Sequence, residues 1–474
     1  MILLARFFTV NDLFLFPACL IALFYIIKNR ANRIKDITVK NLYYRAFYFK
    51  VIAVILFTLL TEFYFKGGDT SLFYQCTKDL RAAISANPDN FWEVVKTNKL
   101  IIKSPLFDYF YYDGYDQDLT WNYMISAANF YPGKLALIPS FIFGNSYICI
   151  NMCIGFFALG GAIRLFKTFY HFYPKQSREL AMACLFLPGV AFWSAGLLKD
   201  PITFGCIGYI TYGFLNIFIL KRKIVISLAI MIIAGLLLYF IKVYILLVLI
   251  MSLLIWLFAE FNKLVENKML RNIFAGMTLV ASAGAAFLLL NYFTSLEAAQ
   301  QFQLDNIAGK AEEQRQLYAD IALSQKGSHF EIATGNPAIT AFSGIVATFY
   351  RPFPWEVSSP IILLSAMESL MFLSLTLLFM YKKGIKSFFT TPFSDPRILM
   401  SFVFAFAFAA AVGTATTNFG ALSRYKIPCM PFYLMMILLM YKQKGLAYPD
   451  WFNKVLDFVV PKALIAKTHA RIRQ

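Results

Sequence analysis

The stretch Val51–Gln75, VIAVILFTLLTEFYFKGGDTSLFYQ, joins an apolar run to a polar loop. The run, 51–65, is long enough to reach across most of a bilayer, and Gly67 and Gly68 then let the backbone turn sharply. Asp69 follows, where the chain leaves the hydrocarbon. A carboxylate at this depth is energetically unfavourable unless it is solvated or has a functional role. We therefore predict that Asp69 is a catalytic carboxylate at the membrane surface. The alternative is a plain helix cap, because Asp-Thr-Ser is good N-cap chemistry.

Composition predicts a multi-pass membrane protein. Of 474 residues, 59% are hydrophobic and only 15% are charged, and the apolar residues are spread along the whole chain. The formal charge of +18 would suit nucleic acid, but the basic residues form short clusters between apolar runs. Such clusters are typical of cytoplasmic loops. We expect an all-α, polytopic bundle of transmembrane helices with no nucleic-acid partner.

Apolar runs predict about eleven membrane spans. These are 13–27, 51–65, 146–165, 180–198, 202–220, 225–240, 244–258, 273–293, 361–381, 399–416 and 427–441. A further piece, 135–143, contains Pro139 and is predicted to be re-entrant or interfacial. No small-residue cleavage site follows the first run, so we expect it to be retained as a span.

Lysine and arginine clusters predict the orientation. Basic residues at 28–45, 167–178, 221–223 and 382–397, and the tail after Lys442, mark the cytoplasmic side of the membrane. The two long connections then lie outside, and both carry more acidic than basic residues, eight against seven in 66–134 and seven against four in 294–359. The predicted regions are two helices at 1–65, an external loop at 66–134, helices at 135–293, a second external loop at 294–359, the last helices at 360–441 and a basic tail at 442–474.

The first external loop alternates polar residues with many tyrosines, tryptophans and phenylalanines. Such residues prefer the headgroup zone, so we expect short amphipathic helices that lie on the bilayer. Sugar stacking is a second use of these rings. The tail, which contains Trp451 and Phe452, is predicted to form an interfacial helix among membrane lipids or to be a solvated segment.

Cations at the external ends of apolar runs are candidate phosphate-binding residues. They are Lys199, Lys242, Arg351, Arg424 and Lys426. Together with Asp69, they would suit a phosphate-bearing lipid whose headgroup reacts outside the membrane. The alternative is a set of independent side chains that snorkel to the interface.

Other chemistry has little support in the sequence. The seven cysteines show no CxxC spacing, and with three histidines we expect no histidine-rich metal site. Nucleotide-binding and nucleophile-elbow motifs are also missing from the sequence. A divalent cation is an open alternative at the aspartates of the first loop, Asp108, Asp113, Asp116 and Asp118.

The glycine-rich loop with Asp69 after an apolar helix, the amphipathic external segments and the many later spans resemble the GT-C glycosyltransferases. Arg424-Tyr425-Lys426-Ile427-Pro428 also resembles the cationic turn that such enzymes place before a late helix. The family includes protein mannosyltransferases and lipid A aminoarabinose transferases. This chain departs from the family pattern in having one extra span before Asp69 and, as the next acidic residue, Asp79, ten positions on.

The resemblance implies a membrane glycosyltransferase that takes a sugar from a polyprenyl-phosphate carrier, with Asp69 as the base. Its acceptor would be a glycan, lipid or protein of the cell envelope. Wzy-type polysaccharide polymerases share the multi-span plan and the external arginines, and they are the alternative enzyme class. A transporter or an envelope-complex scaffold is the non-enzymatic alternative.

Overall fold

The computed structural model describes residues 7–111, 117–262, 284, 304–325 and 328–461. In this part of the chain all regular secondary structure is helical, apart from one isolated bridge between His329 and Asn418. Seven of the described helical segments are long and apolar enough to cross a membrane. They are Asp12–Asn32, Ile37–Phe65, Tyr147–Tyr170, Lys199–Ile219, Ile224–Asn262, Pro360–Lys383 and Pro396–Ala415. The predicted span 273–293 lies outside the described residues.

Twenty helices are named here in chain order. The first ten are α1 (Asp12–Asn32), α2 (Ile37–Leu60), α3 (Asp69–Ala86), α4 (Asn90–Lys96), α5 (Phe107–Tyr111), α6 (Gln117–Met124), α7 (Ala127–Phe143), α8 (Tyr147–Tyr170), α9 (Ser177–Leu185) and α10 (Pro188–Trp193). The others are α11 (Lys199–Phe214), α12 (Ile224–Asn262), α13 (Leu304–Gln325), α14 (Pro337–Tyr350), α15 (Pro360–Lys383), α16 (Ile385–Thr390), α17 (Pro396–Ala415), α18 (Phe419–Tyr425), α19 (Met430–Gln443) and α20 (Asp450–Val459). Single π-type turns, Thr61–Phe65 and Leu215–Ile219, extend α2 and α11.

Glycines set the spacing of the central pair, α8 and α11. A methyl group placed on Gly161 would lie 2.3 Å from the carbonyl oxygen of Gly205, and one on Gly208 would lie 2.0 Å from that of Gly161. The two backbones therefore touch at these positions. Close approach through small residues is a common way for helices to associate in lipid, where apolar burial alone drives little. This contact fixes α11, whose first turn carries Lys199 and Asp200.

The predicted span 180–198 is not one continuous helix. It is divided into α9 and α10 at Phe186–Leu187, directly before Pro188, which ends the helical hydrogen-bonding pattern. Buried side chains satisfy both ends of α10: the Lys50 ammonium donates to the carbonyls of Ala191, at 3.0 Å, and Ser194, at 3.3 Å, and Glu368 accepts from the Gly189 N–H at 2.7 Å. A cation at the C-terminus and a carboxylate at the N-terminus both stabilise the helix dipole.

Charges inside helices were largely missed by the sequence prediction. The predicted span beginning at residue 51 in fact begins at Ile37, because Asp36 accepts from the Thr38 N–H at 2.8 Å and caps the helix. Lys50 therefore lies within α2 and is buried. Lys50 and Glu368 both lie within long helices and not at their ends.

The predicted spans 225–240 and 244–258 form one element, α12, with a kink at Lys242. Lys242 has φ −152° and ψ 78°, outside the helical region, while the residues on either side continue as helix. The kink turns the Lys242 ammonium toward Asp200 at 2.5 Å. The non-helical backbone at Lys242 thus separates two helical arms at the position where the sequence predicts a boundary between two spans.

The first predicted external loop, 66–134, contains α3 to α6 and the start of α7. Helix α3 packs against α7, with the Phe73, Cys76 and Leu80 side chains buried. Helix α4 instead exposes Phe91 and Trp92, as expected for a helix at the bilayer surface. The predicted re-entrant piece 135–143 is the second half of α7, whose helical run continues through Pro132 and Pro139.

Part of the second predicted external loop, 294–359, packs within the bundle. Helix α14 is apolar and packs tightly against α17, where a methyl group on Gly413 would lie 1.9 Å from the carbonyl oxygen of Gly344. Before α14, the extended residues 328–330 pair with 417–419: Phe330 N–H donates to Thr417 at 2.9 Å, and Phe419 N–H to Ser328 at 3.0 Å. This pairing fixes the turn that starts α18.

Shorter helices complete the C-terminal region. Helix α19 is almost entirely buried. Helix α20 buries Phe452 and Leu456 against the protein and exposes Trp451 and Phe458, so its two faces differ as an interfacial helix requires. Asp457 of α20 also pairs with Arg178.

Candidate functional site

The loop at Gly67-Gly68 positions Asp69 at the start of α3. The backbone φ angles are +55° at Lys66, +133° at Gly67 and +96° at Gly68. Positive values favour glycine, which occupies the last two of these positions. Gly68 is the N-cap residue, and Asp69 is the first residue of the helix. The Asp69 carboxylate forms hydrogen bonds with other side chains. This differs from the simple capping role that the sequence left open.

Asp69 makes two side-chain contacts. Arg424 Nη1 donates to Asp69 Oδ2 at 2.7 Å, and the Tyr123 hydroxyl donates to Oδ1 at 3.2 Å. The carboxylate is about one-third exposed, at 34%, whereas Arg424 is 15% exposed. Residues from α3, α6 and α18 therefore meet at this point.

Arg424 links Asp69 to a second carboxylate. Its Nε donates to Asp200 Oδ2 at 2.5 Å, and Lys242 Nζ donates to the other oxygen of Asp200 at 2.5 Å. The Asp200 side chain is fully buried, at 0% exposure. A buried charge needs compensation, which Asp200 receives from both cations. Tyr425 lies below Lys242, whose ammonium is 4.6 Å from the ring centroid.

Lys199 lies beside this network. Its ammonium is 6.0 Å from the centroid of the Phe73 ring and 5.9 Å from that of Tyr123. It is also close enough for its charge to lower the pKa of Asp69. Within the described chain, Lys199 forms no salt bridge of 4.0 Å or less. We call Asp69, Lys199, Asp200, Lys242 and Arg424 the charge cluster.

The charge cluster keeps Asp69 and Arg424 ionised. Burial has the largest effect on Asp69 and would raise its pKa, but the charge and hydrogen bond of Arg424, the Lys199 charge and the Tyr123 hydrogen bond outweigh it. The pKa of Asp69 is therefore lowered. Burial would lower the pKa of Arg424, yet Asp200, Tyr425 and Asp69 raise it well above its usual value. Opposite charges at these distances favour both charged forms.

A cavity of about 440 Å³ opens beside Asp69 and Arg424. Its lining includes these two side chains, the loop Gly67-Gly68 and the polar residues Thr61, Thr70, Ser359 and Asn418. The rest of its wall is mainly apolar and aromatic, formed by Phe57, Tyr64, Phe65, Trp193, Leu198, Ile361 and Ile362. Few polar groups in a mostly apolar pocket are typical of ligand sites. Such a lining suits a ligand that has both an apolar part and a charged group.

Two of the predicted cations lie elsewhere. Arg351 donates from Nε to both oxygens of Glu356, at 3.1 and 3.2 Å, and stacks over Phe330 and Phe419. Lys426 is buried and donates to the Arg351 carbonyl at 3.1 Å and the Ser369 hydroxyl at 2.9 Å. Neither residue lines the cavity. The structure thus brings Asp69, Lys199, Lys242 and Arg424 together in the charge cluster, of which Asp69 and Arg424 line the cavity. Arg351 and Lys426 lie outside the cluster.

Sequence reasoning missed two residues that organise the site. Asp200 is not among the predicted site residues, although its position beside Lys199 at the end of an apolar run is a usable signal. Tyr123 is one of many aromatic residues of the loop, and nothing in the sequence around it indicates that its hydroxyl faces Asp69. Glu368, a lone carboxylate inside an apolar run, was also overlooked.

The open question of a divalent cation concerns the aspartates of the first loop. Among the described residues, no group of three or more His, Cys, Asp or Glu side chains is placed to hold a metal ion. Asp108 lies on the short helix α5. The side chains of Asp113, Asp116 and Asp118 lie outside the described part of the chain.

Comparisons of this chain with protein-family models, with curated proteins and with solved protein structures find no match. The likeness to GT-C glycosyltransferases therefore stays an expectation from the sequence. What can be concluded about function rests on the geometry of the cavity and the charge cluster.

Proposed function

We propose that this protein is a membrane glycosyltransferase. It moves a sugar from a polyprenyl-phosphate-linked donor to a cell-envelope acceptor on the external face of a bacterial cytoplasmic membrane. The observation that carries the proposal is the Asp69–Arg424 pair in the wall of a mostly apolar cavity. A carboxylate and a guanidinium are the groups that a sugar transfer from a phosphate carrier needs.

The shape and chemistry of the cavity support a lipid-linked donor. An isoprenoid chain would lie against the aromatic and aliphatic wall, which includes Phe57, Trp193 and Ile362. The phosphate would meet Arg424, whose planar fork matches phosphate oxygens. The N-terminus of α3, at Gly68 and Asp69, also lines the cavity, and helix N-termini favour anions.

The proposed reaction assigns opposite tasks to the two side chains. The acceptor hydroxyl oxygen attacks the anomeric carbon of the sugar, and the bond from that carbon to the carrier oxygen breaks. The phosphate leaves with the bonding electrons, and Arg424 stabilises its charge. Asp69 takes the proton of the acceptor hydroxyl.

The ion pair with Arg424 makes Asp69 a weak base before the donor arrives, since Arg424 lowers its pKa. A donor phosphate that binds Arg424 would share this guanidinium with Asp69 and offset its charge. The basicity of Asp69 would then rise when the donor is in place. Proton transfer would thereby be linked to donor binding.

A transporter is the second candidate, and the broken helix favours it. Discontinuous helices with charged partners at their ends are common in secondary transporters. Helix α10, with Lys50 at one end and Glu368 at the other, has this form. A Wzy-like polymerase would use the same cavity for a diphosphate carrier. A scaffold of the cell envelope is the remaining class, and it predicts stable co-purification with a partner protein.

The proposed arrangement in the membrane has about eleven crossings, with residues 66–134 and 294–359 on the external side. It counts the two arms of α12 as separate crossings and includes the predicted span 273–293. It also counts helices that are shorter than the seven long apolar ones. The positive clusters between spans support this orientation. The acceptor is a glycan, lipid or protein of the envelope.

Purified protein in liposomes tests the proposal directly. With a polyprenyl-phosphate-linked radioactive sugar inside and outside the vesicles, a transferase releases the free carrier lipid and labels the acceptor. Membrane extract of a deletion strain supplies acceptors that lack the sugar. Movement of a solute into the vesicles while the lipid-linked sugar stays intact would favour the transporter and reject the transferase.

A further inference from the structure

A second group of cations lies at the end of the bundle that is opposite to the charge cluster. Helix α2 leads to Asp69 and α11 begins at Lys199, so the start of α2 and the end of α11 lie at this opposite end. The cations come from the end of α1, from the last two turns of α8 and from the turn between α11 and α12. We give the name basic patch to these five residues: Arg30, Arg164, Lys167, Arg222 and Lys223.

The side chains of the basic patch converge around Lys167. Its ammonium lies 5.3 Å from the centroid of the Tyr43 ring of α2. Arg164, one turn earlier on α8, stacks over the Tyr209 ring of α11 at 4.3 Å. The other four cations of the patch all lie close enough for their charges to act on the Lys167 ammonium. Residues from four separate elements therefore form one positive surface.

No carboxylate balances the basic patch within the residues that the structure describes. None of the five cations forms a salt bridge of 4.0 Å or less there. Asp36, at the same end of the bundle, accepts instead from the Thr38 N–H at 2.8 Å and from the Tyr170 hydroxyl at 2.6 Å. Like charges that meet between helices are unfavourable unless an anion joins them.

The hydroxyl of Tyr43 is an unused hydrogen-bond donor at the same place. Tyr43 is 1% exposed, and its hydroxyl has no partner among the described residues. It lies close enough to Arg30 and Arg164 for their charges to act on it. A buried hydroxyl normally has a hydrogen-bond partner, because leaving it without one costs free energy. An oxygen of an anion bound to these arginines would supply that partner.

The turn that carries Arg222 holds its cations in a fixed position. Lys221 has φ +48° and Lys223 has φ +50°, a left-handed conformation that is strained for residues other than glycine. Asn216 fixes the turn, because its backbone carbonyl accepts from the Arg222 N–H at 2.9 Å and its side-chain oxygen accepts from Arg222 Nε at 3.3 Å. Strain of this kind is typical of sites that bind a ligand.

The surroundings of the basic patch indicate where its anion comes from. Ile26 on α1, Phe218 at the end of α11 and Val225 at the start of α12 are exposed. All three belong to helical segments that are long and apolar enough to cross a membrane. Lipid chains would therefore lie directly beside the patch, with headgroups at its level. Basic pockets between transmembrane helices commonly bind anionic headgroups.

We propose that the basic patch binds the phosphate group of an anionic phospholipid. Its oxygens accept from Arg164, from Lys167 and from the Tyr43 hydroxyl, and the three remaining cations add attraction from the rim. The bound lipid joins α1, α2, α8 and α11 where their charges would otherwise repel. This site is separate from Asp69 and Arg424 and does not depend on the proposed transfer reaction.

Purified protein in nanodiscs tests the site. Discs of phosphatidylcholine alone are compared with discs that also contain phosphatidylglycerol with the same acyl chains. We expect phosphatidylglycerol to raise the melting temperature, and native mass spectrometry in detergent to show one retained phosphatidylglycerol for each chain. Equal melting temperatures in the two kinds of disc would overturn the proposal.

Variants show whether the basic patch is responsible. Arg164→Gln and Lys167→Gln should each lower the affinity for phosphatidylglycerol about fivefold, and Lys167→Arg should keep it. Tyr43→Phe should also lower this affinity, because it removes a donor and keeps the ring. Lys382→Gln is the matched control, since it removes an exposed cation at the same end of the bundle, outside the patch. An equal loss in Lys382→Gln would mean diffuse attraction to the membrane and would overturn the proposal.

Two further comparisons separate a lipid site from a structural role and from a soluble ligand. In phosphatidylcholine alone, Lys167→Gln removes one of several like charges, so its melting temperature should be no lower than that of the wild type. A loss of stability that is equal in both lipids would make Lys167 a structural residue and reject the site. Inorganic phosphate that stabilises the protein in phosphatidylcholine as much as phosphatidylglycerol does would reject the lipid as the ligand.

Discussion

Asp69 and Arg424 are already paired before any ligand arrives, and the pair holds both side chains in place. Asp69 is held with its carboxylate at the cavity, and Arg424 is held by two carboxylates, Asp69 and Asp200. An arginine fixed in this way presents its remaining nitrogen in one direction. Such preorganisation lowers the cost of binding a charged group.

Asp69→Asn tests the proposed proton acceptor. The amide keeps the shape of the carboxylate but cannot take a proton, so we expect transfer activity to fall by about 10²–10⁴-fold. Expression and melting temperature in detergent should change far less. Release of free carrier lipid from the labelled donor measures the activity. An Asp69→Asn protein with normal turnover would reduce Asp69 to a structural residue.

Acid titration tests the ion pair. Since the pKa of Asp69 is lower in the folded protein, its pairing contributes to the free energy of unfolding above the unfolded pKa of about 3.9, and this contribution is lost as the pH falls through the folded value. The difference in melting temperature between wild type and Asp69→Asn should be constant from about pH 8 to about pH 5. A difference that closes between pH 7 and pH 5 would mean that the folded pKa is raised.

Arg424 and Arg351 should respond differently to the same change. Arg424→Gln leaves Asp200 and Asp69 with one cation fewer, and we expect both a loss of donor binding and destabilisation of about 3 kcal/mol. Arg351→Gln breaks the pair with Glu356 outside the cavity, so only stability should fall. Donor affinity and melting temperature are measured for both variants. Equal loss of donor affinity would return Arg351 to the site, as the sequence predicts.

At the scale of helices, two interruptions create the site. The kink of α12 at Lys242 turns an ammonium toward Asp200, and the break between α9 and α10 brings Trp193 of α10 to the cavity wall. Continuous helices in both places would carry the same residues without joining them. The helix termini at the break are stabilised by Lys50 and Glu368.

The close contact of α8 and α11 predicts which glycines are essential. Gly208→Ala places a methyl group 2.0 Å from the Gly161 carbonyl oxygen, so the helices must separate, and we expect destabilisation of about 1–3 kcal/mol. Gly235→Ala in α12 is the matched control, because nothing lies within 4 Å of the added methyl. Thermal melting of both variants in the same detergent measures the effect. A Gly208→Ala protein as stable as Gly235→Ala would contradict the packing described here.

The sequence was sufficient to find the apolar helices and the charged residues at their ends, since both follow from local composition. It identified Asp69, Lys199, Lys242 and Arg424. It was not sufficient to pair them, because Asp69 and Arg424 are 355 residues apart and Asp200 and Arg424 are 224 apart. It also predicted a boundary at Lys242, where the backbone between the two arms of α12 is non-helical.

At the scale of the whole molecule, the proposed orientation predicts which residues face the outside. Tyr115→Cys and Asp320→Cys, one in each long loop, should both react in intact cells with a thiol reagent that does not cross the membrane. Lys223→Cys, in a predicted cytoplasmic cluster, is the control and should react only after permeabilisation. Six of the seven native cysteines are buried, which keeps the background low. Labelling of the two loops from opposite sides would reject both the orientation and the proposed external site.

The sequence distance between Asp69 and Arg424 has a consequence for biosynthesis. Asp69 is made early and Arg424 close to the end of the chain, so the site cannot be completed until almost all of the protein has left the ribosome and entered the membrane. Until then, Asp69 and Asp200 lack their shared guanidinium. An incomplete product would leave two poorly compensated carboxylates at the membrane surface, which would mark it for quality-control proteases and keep a half-made chain from acting on lipid carriers.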